Sequence, residues 1–170
     1  MKKTMSGVLL SVFAFATLLF AADLADVDRF GSCQYCGMDR GKFAHSRMLV
    51  EYEDASAVGL CSLHCTAVEL ATTLDKTPQA IQVGDYGSKS LIDAEKAVWV
   101  LGGSQNGVMT ARAKWAFADK ADAEKFKAQY GGELVGFEEA IKAAYEDMYQ
   151  DTRMIREKRK MKRMMQTKQP

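Results

Sequence analysis

The chain has 170 residues, 48% of them hydrophobic and 26% charged, with a formal net charge of +1. That composition supports a folded core and excludes a disordered or collagen-like chain; the length suits one domain or two small related halves. The near-neutral balance hides a strong asymmetry. Residues 153–168 carry eight Lys/Arg against the single acid Glu157, a net +7, whereas residues 23–152 hold 13 basic and 21 acidic residues, a net −8.

At the N-terminus, Lys2 and Lys3 precede an apolar run from Val8 to Phe20, followed by Ala21-Ala22-Asp23. This basic, apolar, small-residue order predicts a signal peptide over residues 1–22, cleaved near Ala21 or Ala22, and so a periplasmic protein. The competing reading is a retained membrane anchor, for which the run is slightly short. No cysteine stands at the cleavage point, so a lipid anchor is not expected.

Beyond a polar stretch, residues 47–52 read as a strand, residues 54–56 as a turn and residues 57–60 as a second strand. Ser62 fits a helix N-cap, with Ala67, Leu70 and Leu74 on one side of a helix reaching about residue 75, where Pro78 ends it. A strand near 80–83 closes this half. The rhythm then recurs. Residues 97–101, AVWVL, carry the strongest strand signal, and Gly102-Gly103 and Asn106-Gly107 punctuate the stretch after it. Residues 115–117 form a further strand, and Asp119 caps a helix over 120–130 that stops at Gly131-Gly132. Leu134-Val135 adds a short strand before a long helix from Phe137 to about Met164. The expected fold is α+β: two related strand–strand–helix halves with small antiparallel sheets, plus a long C-terminal helix. The divisions are 23–85, 86–150 and a basic, Met-containing helical tail over 151–170. The tail reads either as a solvated helix end or as a contact for an anionic membrane or an acidic partner.

The chemistry lies in four cysteines. Cys33 and Cys36 form a CxxC on a loop before the first strand; Cys61 and Cys65 flank Ser-Leu-His at a strand end and helix start. Four-residue spacing at a helix start puts both sulfurs of the second pair on one side. Two disulfides are one reading in an oxidising compartment, and a four-sulfur site is another. A thioredoxin-like dithiol fits poorly, because no buried strand precedes Cys33 and no convincing helix comes after Cys36. His64 is the one candidate base beside the thiols, which is too little for an enzyme. Met38, His45 and Met109 are further soft or borderline donors, each with an ordinary packing alternative. Thiolate with thioether favours Cu(I), whereas zinc rarely uses methionine. An exported, acidic body disfavours nucleic-acid binding.

The CGM of residues 36–38, His45, the Gly-Val-Met of 107–109 and the block WAFADKADAEKFKAQYGGELVGFEEA at 115–140 together resemble the NosL-type nitrous-oxide reductase accessory proteins. The resemblance spans most of residues 33–142. It implies two related α+β halves and a non-enzymatic periplasmic role: carrying Cu(I) to a recipient metalloprotein or membrane assembly complex. By position it implies Cys36, Met38 and Met109 as copper donors, with His45 a weaker fourth. Cys33, Cys61 and Cys65 exceed that pattern, and CQYCGM…LCSLHC also resembles a treble-clef metal-trafficking motif. Zn(II) in a structural or sensing four-cysteine site therefore stands as the alternative.

Overall fold

The structure is a computed structural model that describes residues 24–167; the expected signal segment lies outside the described residues. A short helix α1 (Ala25–Arg29) precedes a hairpin of β1 (Met48–Tyr52) and β2 (Ala57–Leu60). Asp54 makes that turn locally, its Oδ1 accepting the Ser56 N–H at 2.9 Å. Helix α2 (Leu63–Thr72) comes next, then β3 (Pro78–Gly84) and β4 (Leu91–Asp93). The second half comprises β5 (Val98–Leu101), β6 (Lys114–Phe117), α3 (Lys120–Tyr130), β7 (Glu133–Val135) and α4 (Phe137–Gln166).

The sheets have the order β2-β1-β3-β4 and β6-β5-β7, with every pairing antiparallel. In each half the first strand is central, its hairpin partner lies on one side, and the strand after the helix returns to the other. The two-halves expectation thus has a topological basis: strand, strand, helix, strand, wound alike twice. The first sheet extends past residue 85, because β4 adds an edge to it through pairs such as Val83 with Ile92.

The core joins both halves. Met48, Val50, Leu60 and Val83 are buried on the first sheet, and Trp99, Val100 and Trp115 on the second. The Trp99 indole N–H donates to the Ala94 carbonyl at 2.9 Å, so its ring is buried without an orphaned donor. Asp119 caps α3 as expected, accepting the Ala121 N–H. Helix α4 buries Phe137, Ala140, Ile141, Ala143, Ala144 and finally Asp151, and beyond Ile155 every described residue of it is exposed.

Three features depart from the sequence reading. Helix α2 ends at Thr72, so Leu74 lies past it at 86% exposure instead of facing the core. Pro78 does not end the helix, which stops before it at Thr72; it begins β3, as a residue without an N–H can at a strand's first position. Helix α1 and β4 were not expected, because five and three residues are too few to establish a periodicity.

Candidate metal centre

Residues 33–38 fold into a tight knuckle. The Cys33 N–H donates to the Met38 carbonyl at 2.8 Å, and the Gly37 N–H to the Cys33 carbonyl at 2.9 Å. Gly37 has φ +72°, a conformation that side chains disfavour, and a Cβ there would meet nothing within 4 Å. Glycine is thus required by the turn and not by crowding. The knuckle is tied to β2, since the Gln34 N–H donates to the Gly59 carbonyl at 3.1 Å. Two residues after Gly59 comes Cys61, so this bond sets one cysteine pair against the other.

A buried charge cluster holds the frame. Arg40 is fully buried and donates from Nε to the Leu60 carbonyl (3.1 Å) and from Nη2 to the Met48 carbonyl (2.9 Å). The same guanidinium bonds the Phe30 carbonyl and the Asp26 carboxylate, both at 2.6 Å. Arg47, equally buried, reaches the other Asp26 oxygen at 2.8 Å. Burial works to raise the Asp26 pKa, but hydrogen bonds and charge from Arg47 and Arg40 outweigh it and leave the carboxyl below its ordinary value. One aspartate on α1 therefore bridges two buried arginines, and Arg40 ties the start of β1 to the end of β2.

The four sulfurs converge. Cys33, Cys36, Cys61 and Cys65 place their Sγ atoms within 4.8 Å of one another, with Cys36–Cys61 at 3.4 Å and Cys61–Cys65 at 3.7 Å. Four thiolates about 2.3 Å from one tetrahedral ion would be spaced about 3.8 Å apart, so this cluster has the dimensions of a single metal site. All four are free thiols. Cys33, Cys61 and Cys65 are at most 2% exposed, and Cys36 is the half-buried member through which the cluster meets solvent.

Charge is shared unequally among the thiols. Hydrogen bonds from Cys36, then from Cys61 and Cys65, hold Cys33 far below the usual thiol range. At Cys36 the bond with Cys33 raises the pKa, while donation from Cys61 and Cys65 brings it down to about 7. Cys61 and Cys65 are pushed up, first by Cys33 and Cys36 and also by burial. The cluster by itself thus stabilises anionic sulfur at the knuckle and keeps the two deeper thiols protonated. A bound cation reverses that preference and expels the protons.

The other expected donors have definite places. Met38 and Met109 are half-buried and pack against the core that contains Cys33, Cys61 and Cys65. Met109 has φ +61°, a strained conformation for a non-glycine residue. Its loop is held by the Asp151 Oδ1, which accepts the Ala111 N–H at 2.9 Å. His45 is not a member of the four-sulfur group. Its ring stacks among aromatics, 5.3 Å from Trp115 and 5.8 Å from Tyr86, and burial lowers its pKa. His64, between Cys61 and Cys65, points instead toward α4, with its Nδ1 3.6 Å from Asp151 Oδ2. Neither atom has a hydrogen-bond partner among the described residues. The role of Asp151 had no local signal, because it is set by packing of the long helix.

A sequence profile of the NosL family matches residues 25–145. The chain belongs to the NosL family. No curated protein matches its sequence significantly. Among solved structures it resembles the copper chaperone NosL from Shewanella denitrificans, with 27% identity and a TM-score of 0.52, over 66% of this chain and 90% of that one. The α+β architecture agrees with that NosL structure. The NosL match takes in all four cysteines, Met38, His45 and Met109, and ends before Asp151 and the basic tail.

Proposed function

We propose that this protein is a periplasmic metallochaperone, not an enzyme, that binds Cu(I) and delivers it to a recipient metalloprotein such as a nitrous-oxide-reductase-like copper enzyme. The observation that carries the reading is the convergence of four sulfurs with one accessible member, Cys36, joined through Gly37 to Met38. Family membership and the likeness to a copper chaperone support it. Thiolate supplies affinity for a soft ion, while a neutral thioether beside the exposed sulfur gives the ion a weak ligand to leave by. Ligand exchange with a recipient needs such an edge. Met109, on its strained loop, is a further thioether proposed as a donor, whereas His45 is packed among aromatic rings away from the four-sulfur group.

The test is competition for Cu(I) against a chromophoric chelator. Cys36→Ser with Met38→Ala is expected to weaken Cu(I) binding by at least tenfold; unchanged affinity in the double variant would sink the assignment. A second reading is favoured by the sulfur spacing alone: four thiolates close a tetrahedral Zn(II) site completely. Metal content and free-thiol count on the mature protein decide between them. One tightly held zinc per chain, with unfolding on chelation, would establish the structural or sensing role instead.

A further inference from the structure

The last turns of α4 leave the body as an exposed helical arm. From residue 152 to Gln166 the helix extends about 22 Å beyond its last buried side chain, Asp151. Within residues 153–167 there are seven Lys/Arg and one acid, Glu157. Among the described residues the ion pair of this arm is internal, Arg153 with Glu157 at 3.0 Å, so its positive charge is not spent on the acidic body. The arm is also two-faced. At 100° per residue, Met154, Met161 and Met165 fall within about 40° of one another, and Arg153, Arg156, Arg159, Lys160 and Arg163 span about 120° on the opposite side. Met161 and Met165 are 52% and 67% exposed.

We propose that this arm is a membrane-surface helix that lies on anionic phospholipid, with its methionine stripe in the headgroup–acyl boundary. A basic amphipathic helix of low overall hydrophobicity has the form of an interfacial segment, and clusters of four to eight Lys/Arg are what anionic headgroups attract. Lys158 and Lys162 flank the stripe and can extend their ammonium groups to the phosphates. The arginines on the far side also contribute, because the helix is about 10 Å across, comparable to the Debye length at moderate salt. A lipid surface fits better than a shaped protein groove. Past Ile155 the described arm has no aromatic or branched apolar residue to serve as an anchor, and flexible methionines suit a fluid boundary. Charge also orients the contact, since a body of net −8 is repelled by the surface that attracts the tail. No described helix is long and apolar enough to cross a membrane, so this arm would lie along it.

The full chain should partition onto phosphatidylglycerol-containing vesicles more strongly than onto pure phosphatidylcholine vesicles, with an excess that falls as salt rises. Each basic residue near such a surface is worth roughly fivefold in partitioning. Arg156→Gln, Arg159→Gln and Arg163→Gln together should therefore cut the excess by roughly a hundredfold, and Met161→Gln with Met165→Gln should reduce it at constant charge. Equal binding to both vesicle types, or an excess unaltered by the triple variant, overturns the proposal. So does tail-dependent binding to polyglutamate without binding to phosphatidylglycerol, which would identify an acidic protein as the partner. The proposal is independent of the metal assignment: Cys36→Ser should bind vesicles like the wild type whatever it does to Cu(I).

Discussion

Two glycines show how differently the same residue type can serve the metal centre. Gly37 needs its positive φ but has open space around it, so Gly37→Ala should cost only backbone strain, about 1 kcal/mol. Gly59 has ordinary backbone geometry, but a Cβ would lie 2.5 Å from Phe30 Cβ and 2.8 Å from the Arg40 guanidinium carbon. Gly59→Ala must therefore shift Phe30 and Arg40, at a cost of about 1–3 kcal/mol. Urea unfolding of the two variants should rank them in that order. Gly59→Ala should also weaken metal binding, because the Gln34–Gly59 bond aligns the cysteine pairs. The Gly37 turn is local, closed by bonds between Cys33 and residues that follow it at once. The crowding at Gly59 was not legible in the sequence, because its neighbours come from residues 19 or more positions away.

At the scale of elements, Asp26 joins α1 to the β1–β2 hairpin through Arg40, and the Gln34–Gly59 bond ties the knuckle to that hairpin. Since its folded pKa is lowered from 3.8, Asp26 contributes stability that is fully present above about pH 3.8 and is lost as pH falls below that toward the folded value. Asp26→Asn leaves two buried guanidinium groups without their counter-charge and should cost about 3–5 kcal/mol near neutral pH. In unfolding titrations, the gap between wild type and variant is expected to narrow below pH 3.8. A gap constant with pH would show that Asp26 acts through packing alone. The strands and long helices were readable because their signals are local: AVWVL for β5, Asp119 and Gly131-Gly132 for the ends of α3. The expected end of α2 was wrong in Leu74, because an apolar residue past a helix end carries no mark of which way the chain turns.

Over the whole molecule, metal, sulfur protonation and fold are coupled. Three buried cysteines and one accessible one must form around the ion, so metal binds the native state in preference to the unfolded chain. At a free metal concentration about a hundredfold above Kd, stabilisation of about 2.7 kcal/mol is expected, read as a rise in Tm. Cys65→Ser should abolish most of that rise by removing a sulfur from the deep end of the cluster. An equal rise in that variant would show that the metal sits at the knuckle alone. Binding should also release protons, since Cys61 and Cys65 are pushed up as free thiols.

Features that depend on neighbours along the chain were readable from the residues alone. They include most of the strands and helices, the CxxC and CxxxC pairs and the contrast between an acidic body and a basic tail. The resemblance carried by CGM and the 115–140 block added the NosL family. Tertiary structure decided which sulfurs meet. Spacing confines two cysteines within a pair, but the gap between Cys36 and Cys61 is closed by the register of β1 on β2 and by Arg40 bonding the end of β2. It also placed His45 among aromatic rings, turned His64 toward Asp151 and left the end of α4 standing clear of the body. These outcomes depend on contacts between residues far apart in the chain, which local periodicity does not encode.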